Sequence, residues 1–358
     1  MKNVGILNFQ YSSHNYGAVL QAAALEFICR QLGHEALHLD YIARRKVTLR
    51  SSVGQVLKTL GLRKVPRANQ VTNEEAFERF RHNFINRTKC IHSAKEFSEV
   101  AKAFDAVVVG SDQVWRPAFA KDTIAFFLGY VPSGVDRIAY AASFGTSIWE
   151  QADDIALTAK IQRELRQFKA ISCREESGVT ICKNLFGVEA VHVLDPLLLV
   201  GEPFFEKVVS KSSFEPGAKL VYYKLDSTPD FREDLRNVGA ALGNDAVNIY
   251  FKDADFPCYR EVPDWLALIR NSEVVVTDSF HCICLALRFG KDVIFCPNKK
   301  RGQARLDSLF NKLKVKTEPL ILGLKTPMFR LSRLGNIETI LENERTHSLQ
   351  FLAEALHD

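Results

Sequence analysis

Short apolar runs alternate along the chain with longer stretches in which apolar residues recur every three or four positions. Such runs predict buried strands, and those of the first half lie at 4–9, 35–40, 105–110, 137–145, 169–173 and 190–195. The helical spacing predicts helices at 17–33, which Gly33 ends, and at 152–168. Buried strands that alternate with helices are typical of a parallel sheet covered on both faces.

The alternation is interrupted at 195–218, where three prolines, two glycines and a cluster of serines predict a domain boundary. It resumes with predicted strands at 219–225, 246–250, 273–277 and 292–296 and predicted helices at 229–242, 263–270 and 282–289. Asn336 is placed to cap a last helix from 337 to about 356. A chain of 358 residues is too long for one core. We therefore predict domains at 1–200 and 215–335 and a C-terminal helix at 336–358.

The segment 41–73 differs from the rest because it carries eight Lys and Arg residues and no acidic residue. Four apolar residues within it recur at helical spacing: Val53, Val56, Leu57 and Leu60. A basic amphipathic helix of this kind can lie on an anionic membrane surface. The alternative interpretation is a solvated insertion loop with one packing face, and the sequence leaves both open.

The composition is that of an ordinary globular protein, with 47% hydrophobic and 25% charged residues. A formal net charge of +5 is too small to indicate a nucleic-acid partner. The eight cysteines include no Cys-x-x-Cys pair and the nine histidines show no metal-ligand spacing, so we expect reduced thiols and no metal site. We find neither a signal-peptide pattern nor an apolar run of roughly 18 residues. We therefore expect a cytoplasmic protein, with peripheral contact at the inner face of the membrane if the basic segment binds there.

Polar clusters follow four of the predicted strands. They are "YSSHNYGAVLQ" at 11–21, "GSDQVW" at 110–115, "CREESG" at 173–178 and "TDSFH" at 277–281. Ligands of open α/β sheets bind beyond the carboxyl ends of the strands, so these clusters are the candidate binding and catalytic segments. No phosphate-binding loop of the G-x-x-x-x-G-K-[ST] type is present, and no G-x-G-x-x-G follows the first strand, which argues against a dinucleotide cofactor.

The fourth cluster predicts a phosphate site. Asp278 or Ser279 can cap the helix that follows, which would bring a hydroxyl, free backbone amides and the His281 imidazole to one point. The alternative is that Ser279 only caps the helix and His281 is a satisfied core histidine.

Arg174 ends an apolar strand, where its planar fork would suit a carboxylate or phosphate in the cleft. The alternative is an ion pair with Glu175 or Glu176. A basic loop after the strand 292–296 adds four cations beside the expected phosphate site: Lys299, Lys300, Arg301 and Arg305. Taken singly, these cations also fit a solvated surface.

Taken in order, six segments resemble the polysaccharide pyruvyl transferase family. They are "NYGAVLQAAAL", "FDAVVVGSDQVW", "IAYAASFG", "ISCREESG", "VLDPLLL" and "VVTDSFHCICLALRFGKDVIF", within residues 8 to about 310. The resemblance implies two Rossmann-like domains facing across a cleft, similar to GT-B glycosyltransferases. It implies phosphoenolpyruvate as the donor substrate, no cofactor, and a pair of sugar hydroxyls as the acceptor. The product would be a cyclic pyruvate ketal on a surface polysaccharide, such as a capsule or exopolysaccharide, or on its lipid-linked precursor.

The resemblance also implies roles for individual residues. Ser279, His281 and Arg174 would hold or protonate the donor on the C-terminal side, joined by a basic residue among Lys300, Arg301 and Arg305. Cys282 stands where a glycine is common in the family, and its side chain is also small. A histidine that titrates near neutrality suits the general acid. By position alone, we assign Asp112 as the acceptor base and Asn15, Tyr16 and Gln113 as acceptor-binding residues on the N-terminal side.

Two other functions are compatible with the sequence. A GT-B glycosyltransferase could use the same helix-terminal phosphate site for a nucleotide sugar, although no base-recognition pocket can be named. A non-catalytic subunit of a glycan assembly complex would use the basic segment for interaction, but it would not require Arg174, Ser279 and His281 at strand ends.

Overall fold

The computed structural model describes residues 1–43, 71–213, 217–252, 257–298, 302–333 and 337–357. The apolar stripe and all eight cations of the basic segment 41–73 lie outside the described residues, so its contact with a membrane stays a prediction. The same is true of three residues of the basic loop, Lys299, Lys300 and Arg301, and of the proposed helix cap Asn336. Among the helices in the described ranges, none has both the length and the apolar character needed to cross a membrane.

The first half of the chain forms a six-stranded parallel sheet. Its strands are β1 Asn3–Leu7, β2 Glu35–His38, β3 Ala106–Val109, β4 Asp136–Ala142, β5 Ala170–Cys173 and β6 Val191–His192, in the order β2-β1-β3-β4-β5-β6. The helices around it are α1 Tyr16–Gln31, α2 Glu75–Phe84, α3 Ala94–Ala101, α4 Thr123–Phe126, α5 Ile155–Leu165 and α6 Glu176–Ile181, which continues as a π-helical turn at Cys182–Phe186. The predicted strand at 190–195 is shorter than expected, because Asp195 and Pro196 already begin the next helix.

The second half forms another six-stranded sheet with one antiparallel edge. Its strands are β7 Leu220–Tyr223, β8 Ala246–Asn248, β9 Val274–Thr277, β10 Asp292–Phe295, β11 Val315–Pro319 and β12 Phe329–Arg333, in the order β11-β12-β10-β9-β7-β8. The helices are α7 Pro196–Leu199, α8 Glu202–Val209, α9 Pro229–Leu242, α10 Val262–Asn271, α11 Phe280–Arg288, α12 Gln303–Lys312 and α13 Ile337–Leu356. The change from one sheet to the other falls between His192 and Leu220.

The two sheets share one continuous apolar core. A single cluster of buried side chains includes Val4 and Ile6 from the first sheet and Val221 and Val275 from the second, with α1 between them. Thirteen of the sixteen residues of α1 are buried, so this helix has almost no solvent face. The outer face of each sheet has its own smaller cluster. The chain is therefore layered, with the shared core at the centre.

An aromatic contact joins the two halves of the chain. The Tyr16 ring, on α1, stacks on the Trp265 ring, on α10, with 5.0 Å between centroids and an interplanar angle of 2°. The Tyr16 hydroxyl accepts a hydrogen bond from the Arg260 backbone amide at 2.8 Å and lies within donor distance of the Tyr250 and Arg260 carbonyls. This contact joins the start of α1 to the second half of the chain.

Candidate functional site

A cleft of about 530 Å³ opens between the carboxyl ends of the two sheets. The first half contributes residues 9, 11–15, 18, 112, 113, 118, 119 and 121, and the second half contributes 225, 278–281 and 305. Three of the four polar clusters predicted from the sequence thus supply residues that line one cleft. Its location agrees with the general rule for open α/β sheets.

The N-terminus of α11 forms one wall of the cleft. Strand β9 ends at Thr277, whose hydroxyl accepts a hydrogen bond from the Ser279 amide at 3.0 Å. Ser279 is the N-cap, but its Oγ lies 3.5 Å from the Cys282 amide, which makes the capping bond long. Asp278 is not the cap, because its carboxylate accepts hydrogen bonds from Lys224 Nζ at 2.6 Å and from the Leu225 amide at 2.8 Å. The Ser279 hydroxyl therefore retains capacity for a ligand.

Arg174 is buried behind this wall and is held by two carboxylates. Its Nη1 donates to Asp195 Oδ2 at 2.8 Å and its Nη2 donates to Asp112 Oδ1 at 3.1 Å. Its backbone amide donates to the Ala142 carbonyl at 3.1 Å, which fixes the end of β5 beside β4. The guanidinium does not pair with Glu175 or Glu176, the alternative that the sequence had left open. It is only 2% exposed, so it forms the base of the site rather than its lining.

The contact between Arg174 and His281 sets the tautomer of the imidazole. Arg174 Nη1 lies 3.1 Å from His281 Nε2, and a guanidinium nitrogen can only donate. The neutral form of His281 must therefore accept at Nε2, which leaves its ring proton on Nδ1. Only the imidazolium, which is protonated at both nitrogens, carries the charge that acts on the neighbouring carboxylates. Asp195 Oδ2 lies 3.5 Å from the same Nε2, so the carboxylate, the guanidinium and the imidazole form one compact cluster.

Both carboxylates of this cluster are kept ionised. Burial raises the pKa of Asp112, but His281, Arg174 and Arg305 lower it more, so the net pKa lies below the usual Asp value. Burial also raises the pKa of Asp195, and His281 and Arg174 outweigh it, so that this pKa falls well below its usual range. In return, Asp112 and Asp195 overcome the opposing effect of burial and hold the pKa of Arg174 above its ordinary value.

A second guanidinium, Arg305, reaches the cleft from the first turn of α12. The Phe280 ring lies between the two arginines, 4.3 Å from Arg174 Cζ and 5.4 Å from Arg305 Cζ. Burial, followed by the nearby Arg174 charge, lowers the pKa of Arg305 to about 10. Arg305 is the residue of the predicted basic loop that the structure describes at the cleft.

Glu175, which the sequence analysis did not assign a role beyond a possible pair with Arg174, holds the loop after β4. One carboxylate oxygen accepts hydrogen bonds from the Ser143 hydroxyl at 2.9 Å and from the Phe144 and Gly145 amides at 2.8 and 3.2 Å. The residue is fully buried, and burial raises its pKa above the ordinary Glu value despite the opposing effect of Arg174. Glu175 therefore anchors the loop that follows β4.

A comparison with known protein families identifies the family of the chain. The sequence model of the family described as polysaccharide pyruvyl transferase matches residues 15–300, which is most of the chain. The chain belongs to the polysaccharide pyruvyl transferase family. The resemblance predicted from the ordered motifs is thereby confirmed, and membership makes this protein a transferase. No curated protein shows significant sequence similarity to the chain.

One solved structure confirms the predicted fold of this pyruvyl transferase family member, and others align with it more weakly. A putative UDP-N-acetylglucosamine 2-epimerase from Listeria monocytogenes aligns with a TM-score of 0.50 at 11% identity, over 98% of this chain and 90% of the epimerase. The UDP-GlcNAc 2-epimerase from Neisseria meningitidis aligns with a TM-score of 0.44 at 12% identity, over 99% of this chain and 94% of the epimerase. The heptosyltransferase WaaC from E. coli aligns with a TM-score of 0.41 at 11% identity, over 81% of this chain and 87% of the heptosyltransferase. At these identities the likeness concerns the fold alone, which is the two-domain Rossmann-like GT-B fold.

The residues assigned to the acceptor side of the transferase are divided by the structure. Asn15 and Gln113 line the cleft together with Asp112. The Asn15 side chain also caps α1, because its Oδ1 accepts a hydrogen bond from the Ala18 amide at 3.2 Å. Tyr16 is fully buried, with its hydroxyl bonded to residues of the second half, so it lies away from the cleft. We therefore leave Tyr16 out of the acceptor site.

Two residues of the site were missed because their sequence context suggested another role. Asp195 falls within a predicted strand and the predicted boundary segment. It also precedes a proline, and Asp-Pro is a common helix start. In the structure it caps α7, because its Oδ1 accepts a hydrogen bond from the Leu197 amide at 3.0 Å. Gly17 stands inside the motif "NYGAVLQ", and only the packing of α1 against α11 reveals what it contacts.

Proposed function

We propose that this protein transfers a pyruvyl group from phosphoenolpyruvate to two hydroxyls of a sugar in a surface polysaccharide or its lipid-linked precursor, forming a pyruvate ketal. The observation that carries the proposal is the convergence of His281, Arg305 and the N-terminus of α11 on one cleft, with Arg174 directly behind them. Family membership supports the transfer of a pyruvyl group. Phosphoenolpyruvate carries a phosphate and a carboxylate, and this part of the cleft offers cations and helix-terminal amides.

The donor phosphate suits the N-terminus of α11. Ser279 and the first free amides of that helix would donate hydrogen bonds to phosphate oxygens, and Arg305 would balance the charge. Arg174 has both Nη groups engaged by Asp112 and Asp195, so its proposed role is to keep His281 in place and to contribute positive charge beneath the donor carboxylate. Lys300 and Arg301 remain proposed donor-binding residues.

Ketal formation begins with a proton at the methylene carbon of phosphoenolpyruvate, and His281 is the proposed donor of that proton. C2 then becomes an oxocarbenium-like electrophile. One sugar hydroxyl attacks C2, the bond from C2 to the phosphate oxygen breaks, and inorganic phosphate leaves. The second hydroxyl attacks C2 and closes the ring. Of the two hydroxyl protons, one restores His281 and the other leaves with phosphate.

Asp112 is the proposed contact for the acceptor hydroxyl. Because its lowered pKa keeps it ionised at neutral pH, it can accept a hydrogen bond from the attacking hydroxyl and orient it towards C2. A general base works best with a pKa near the working pH, so Asp112 suits orientation better than early proton removal. Asn15 and Gln113, which line the same wall, are the proposed neighbours of the sugar.

The test is a thermal-shift comparison of phosphoenolpyruvate with a panel of UDP-sugars on the full chain. A ligand at a hundredfold excess over its Kd stabilises the folded state by about 2.7 kcal/mol. We expect stabilisation by millimolar phosphoenolpyruvate, and less of it in Arg305→Gln. Stabilisation by a UDP-sugar and none by phosphoenolpyruvate would overturn the proposal in favour of a nucleotide-sugar glycosyltransferase. No response to either compound would also count against the proposed donor.

A further inference from the structure

The imidazole of His281 lies against the first turn of α1, in the other half of the molecule. A Cβ atom built on Gly17 would lie 2.3 Å from His281 Nδ1, 2.5 Å from its Cγ and 2.6 Å from its Cβ. Carbon and nitrogen atoms in ordinary contact are about 3.5 Å apart or more. The absence of a side chain at position 17 is therefore what allows the ring to occupy its observed place.

We propose that Gly17 is a positioning residue, which seats the His281 ring across the domain interface with Nδ1 towards α1 and Nε2 towards Arg174. The inference rests on the proposed function only in naming His281 as the proton donor. The seat itself follows from packing and hydrogen bonds, and it can be tested without any substrate.

The first turn of α1 is fixed well enough to act as a seat. The Asn15 side chain caps it, and Tyr16, beside Gly17, is anchored by its stack on Trp265 and by the Arg260 amide. His281 is held on its other side by the hydrogen bond from Arg174 at 3.1 Å. The ring is thus held between a guanidinium and a helix turn.

This seat fixes what each ring nitrogen contacts. Because Arg174 donates to Nε2, the proton is on Nδ1, the atom nearest Gly17. A methyl group at position 17 would have to displace Nδ1 by about 1 Å to restore an ordinary contact distance. A displacement of this size in a reacting group can lower turnover about a hundredfold.

The first test uses nitrogen NMR of protein labelled at the histidine imidazoles, with His281 assigned by comparison with His281→Ala. In the wild type, we expect the neutral His281 ring to carry its proton on Nδ1 and none on Nε2. Gly17→Ala should shift both His281 signals. Gly5→Ala is the matched control, because a Cβ there would crowd Phe104 at 3.2 Å in the same half of the chain. It should leave the His281 signals unchanged.

The second test is a double-mutant cycle read by melting temperature. Gly17→Ala should lower the melting temperature of the wild type markedly and that of His281→Ala much less, because the second background has no ring to clash with. Gly5→Ala should lower the melting temperature by the same amount in the wild type and in His281→Ala. This comparison remains informative if Gly17→Ala folds poorly in the wild type.

Three outcomes would overturn the proposal: a neutral His281 ring protonated at Nε2 in the wild type, unchanged His281 signals in Gly17→Ala, or equal losses of melting temperature in the two backgrounds. If phosphoenolpyruvate is turned over, Gly17→Ala should lower kcat about a hundredfold with a smaller change in KM. Absence of turnover in the wild type would reject the proposed function and leave the positioning result intact.

Discussion

At the scale of the residue, the central feature is a guanidinium enclosed by two carboxylates and an imidazole. Arg174 bridges Asp112 and Asp195, donating from one Nη group to each carboxylate. A buried charge is tolerated only when it is paired and hydrogen-bonded, so each member of the group depends on the others. This mutual dependence gives two testable consequences, one for stability and one for acid sensitivity.

Removing Arg174 should destabilise the protein strongly. Arg174→Ala leaves Asp112 and Asp195 buried without their cation, and breaking a buried pair in this way costs about 3–5 kcal/mol. Urea unfolding measures the loss. Arg79→Ala is the control, because Arg79 is half exposed in its pair with Glu261 and should cost less than about 1 kcal/mol.

Arg174→Lys separates charge from geometry. One ammonium cannot reproduce two divergent hydrogen bonds, so we expect a smaller loss of stability and a raised KM for phosphoenolpyruvate. Stability and kinetics equal to the wild type would show that the two-carboxylate bridge is dispensable.

The same group should make the folded state sensitive to acid. The pKa values of Asp112 and Asp195 are lower in the folded chain than the ordinary Asp value of about 4. Their contribution to stability is therefore complete above that value and is lost as the pH falls towards the folded-state pKa. In Asp195→Asn, the free energy of unfolding should fall less steeply between about pH 5 and about pH 2 than in the wild type. Parallel curves would contradict this reasoning.

At the scale of the element, the N-terminus of α11 combines a weak cap with a candidate ligand site. Ser279→Ala removes both the cap and the ligand contact. Thr228→Ala removes only a cap, that of α9, where Thr228 Oγ1 accepts a hydrogen bond from the Phe231 amide at 3.1 Å. Each substitution should cost about 0.5–2 kcal/mol of stability. Only Ser279→Ala should raise the KM for phosphoenolpyruvate, by about 2- to 12-fold for one neutral hydrogen bond. Equal KM values in the two variants would reduce Ser279 to a cap.

The parallel strands were accessible from the sequence because each is a short apolar run, buried on both faces. Strands β11 and β12 were not predicted, because β11 is an edge strand whose residues after Val315 are exposed and polar or prolyl. Helix α2 also escaped, although Phe77, Phe80 and Phe84 recur at helical spacing within it. Local pattern therefore recovers elements of the central layers better than elements of the periphery.

The candidate site divides in the same way. The sequence predicts where strands end and helices begin, and this was enough to find Ser279, His281 and Arg174. The partners of Arg174 could not be found in this way, because Asp112 and Asp195 are 83 positions apart and meet only when β3, β5 and the start of α7 come together. The burial of Tyr16 was equally inaccessible, since it depends on α10 of the second half.

At the scale of the whole molecule, the two halves touch on more than one side of the cleft. Gly17 meets His281, and a Cβ on Gly302 would lie 2.4 Å from the Gly145 carbonyl oxygen, so backbone meets backbone there. The C-terminal helix α13 returns to the first half, where the Ser348 hydroxyl accepts from the Leu194 amide at 3.0 Å. With the shared core, these contacts predict that the halves unfold together.

We therefore expect a single calorimetric unfolding transition. Tyr16→Phe should keep that single transition and lower the free energy of unfolding by about 1–3 kcal/mol, because the Arg260 amide loses its acceptor. The loss of turnover should be smaller than that in Gly17→Ala, because the stack of the ring on Trp265 still anchors the first turn of α1. Two resolved transitions in the wild type would show that the halves are independent.

The position of α1 bears on how members of this family could exchange specificity by recombination. A chimera joined within 195–218 would set Tyr16 and Gly17 of one parent against Trp265 and His281 of the other. A crossover at the change from one sheet to the other would thus separate two residues that fit closely against each other, Gly17 and His281. An exchange that preserves this fit must carry α1 together with α10 and α11. The part of the chain that has to be exchanged as one unit is therefore discontinuous in sequence and begins at the first helix.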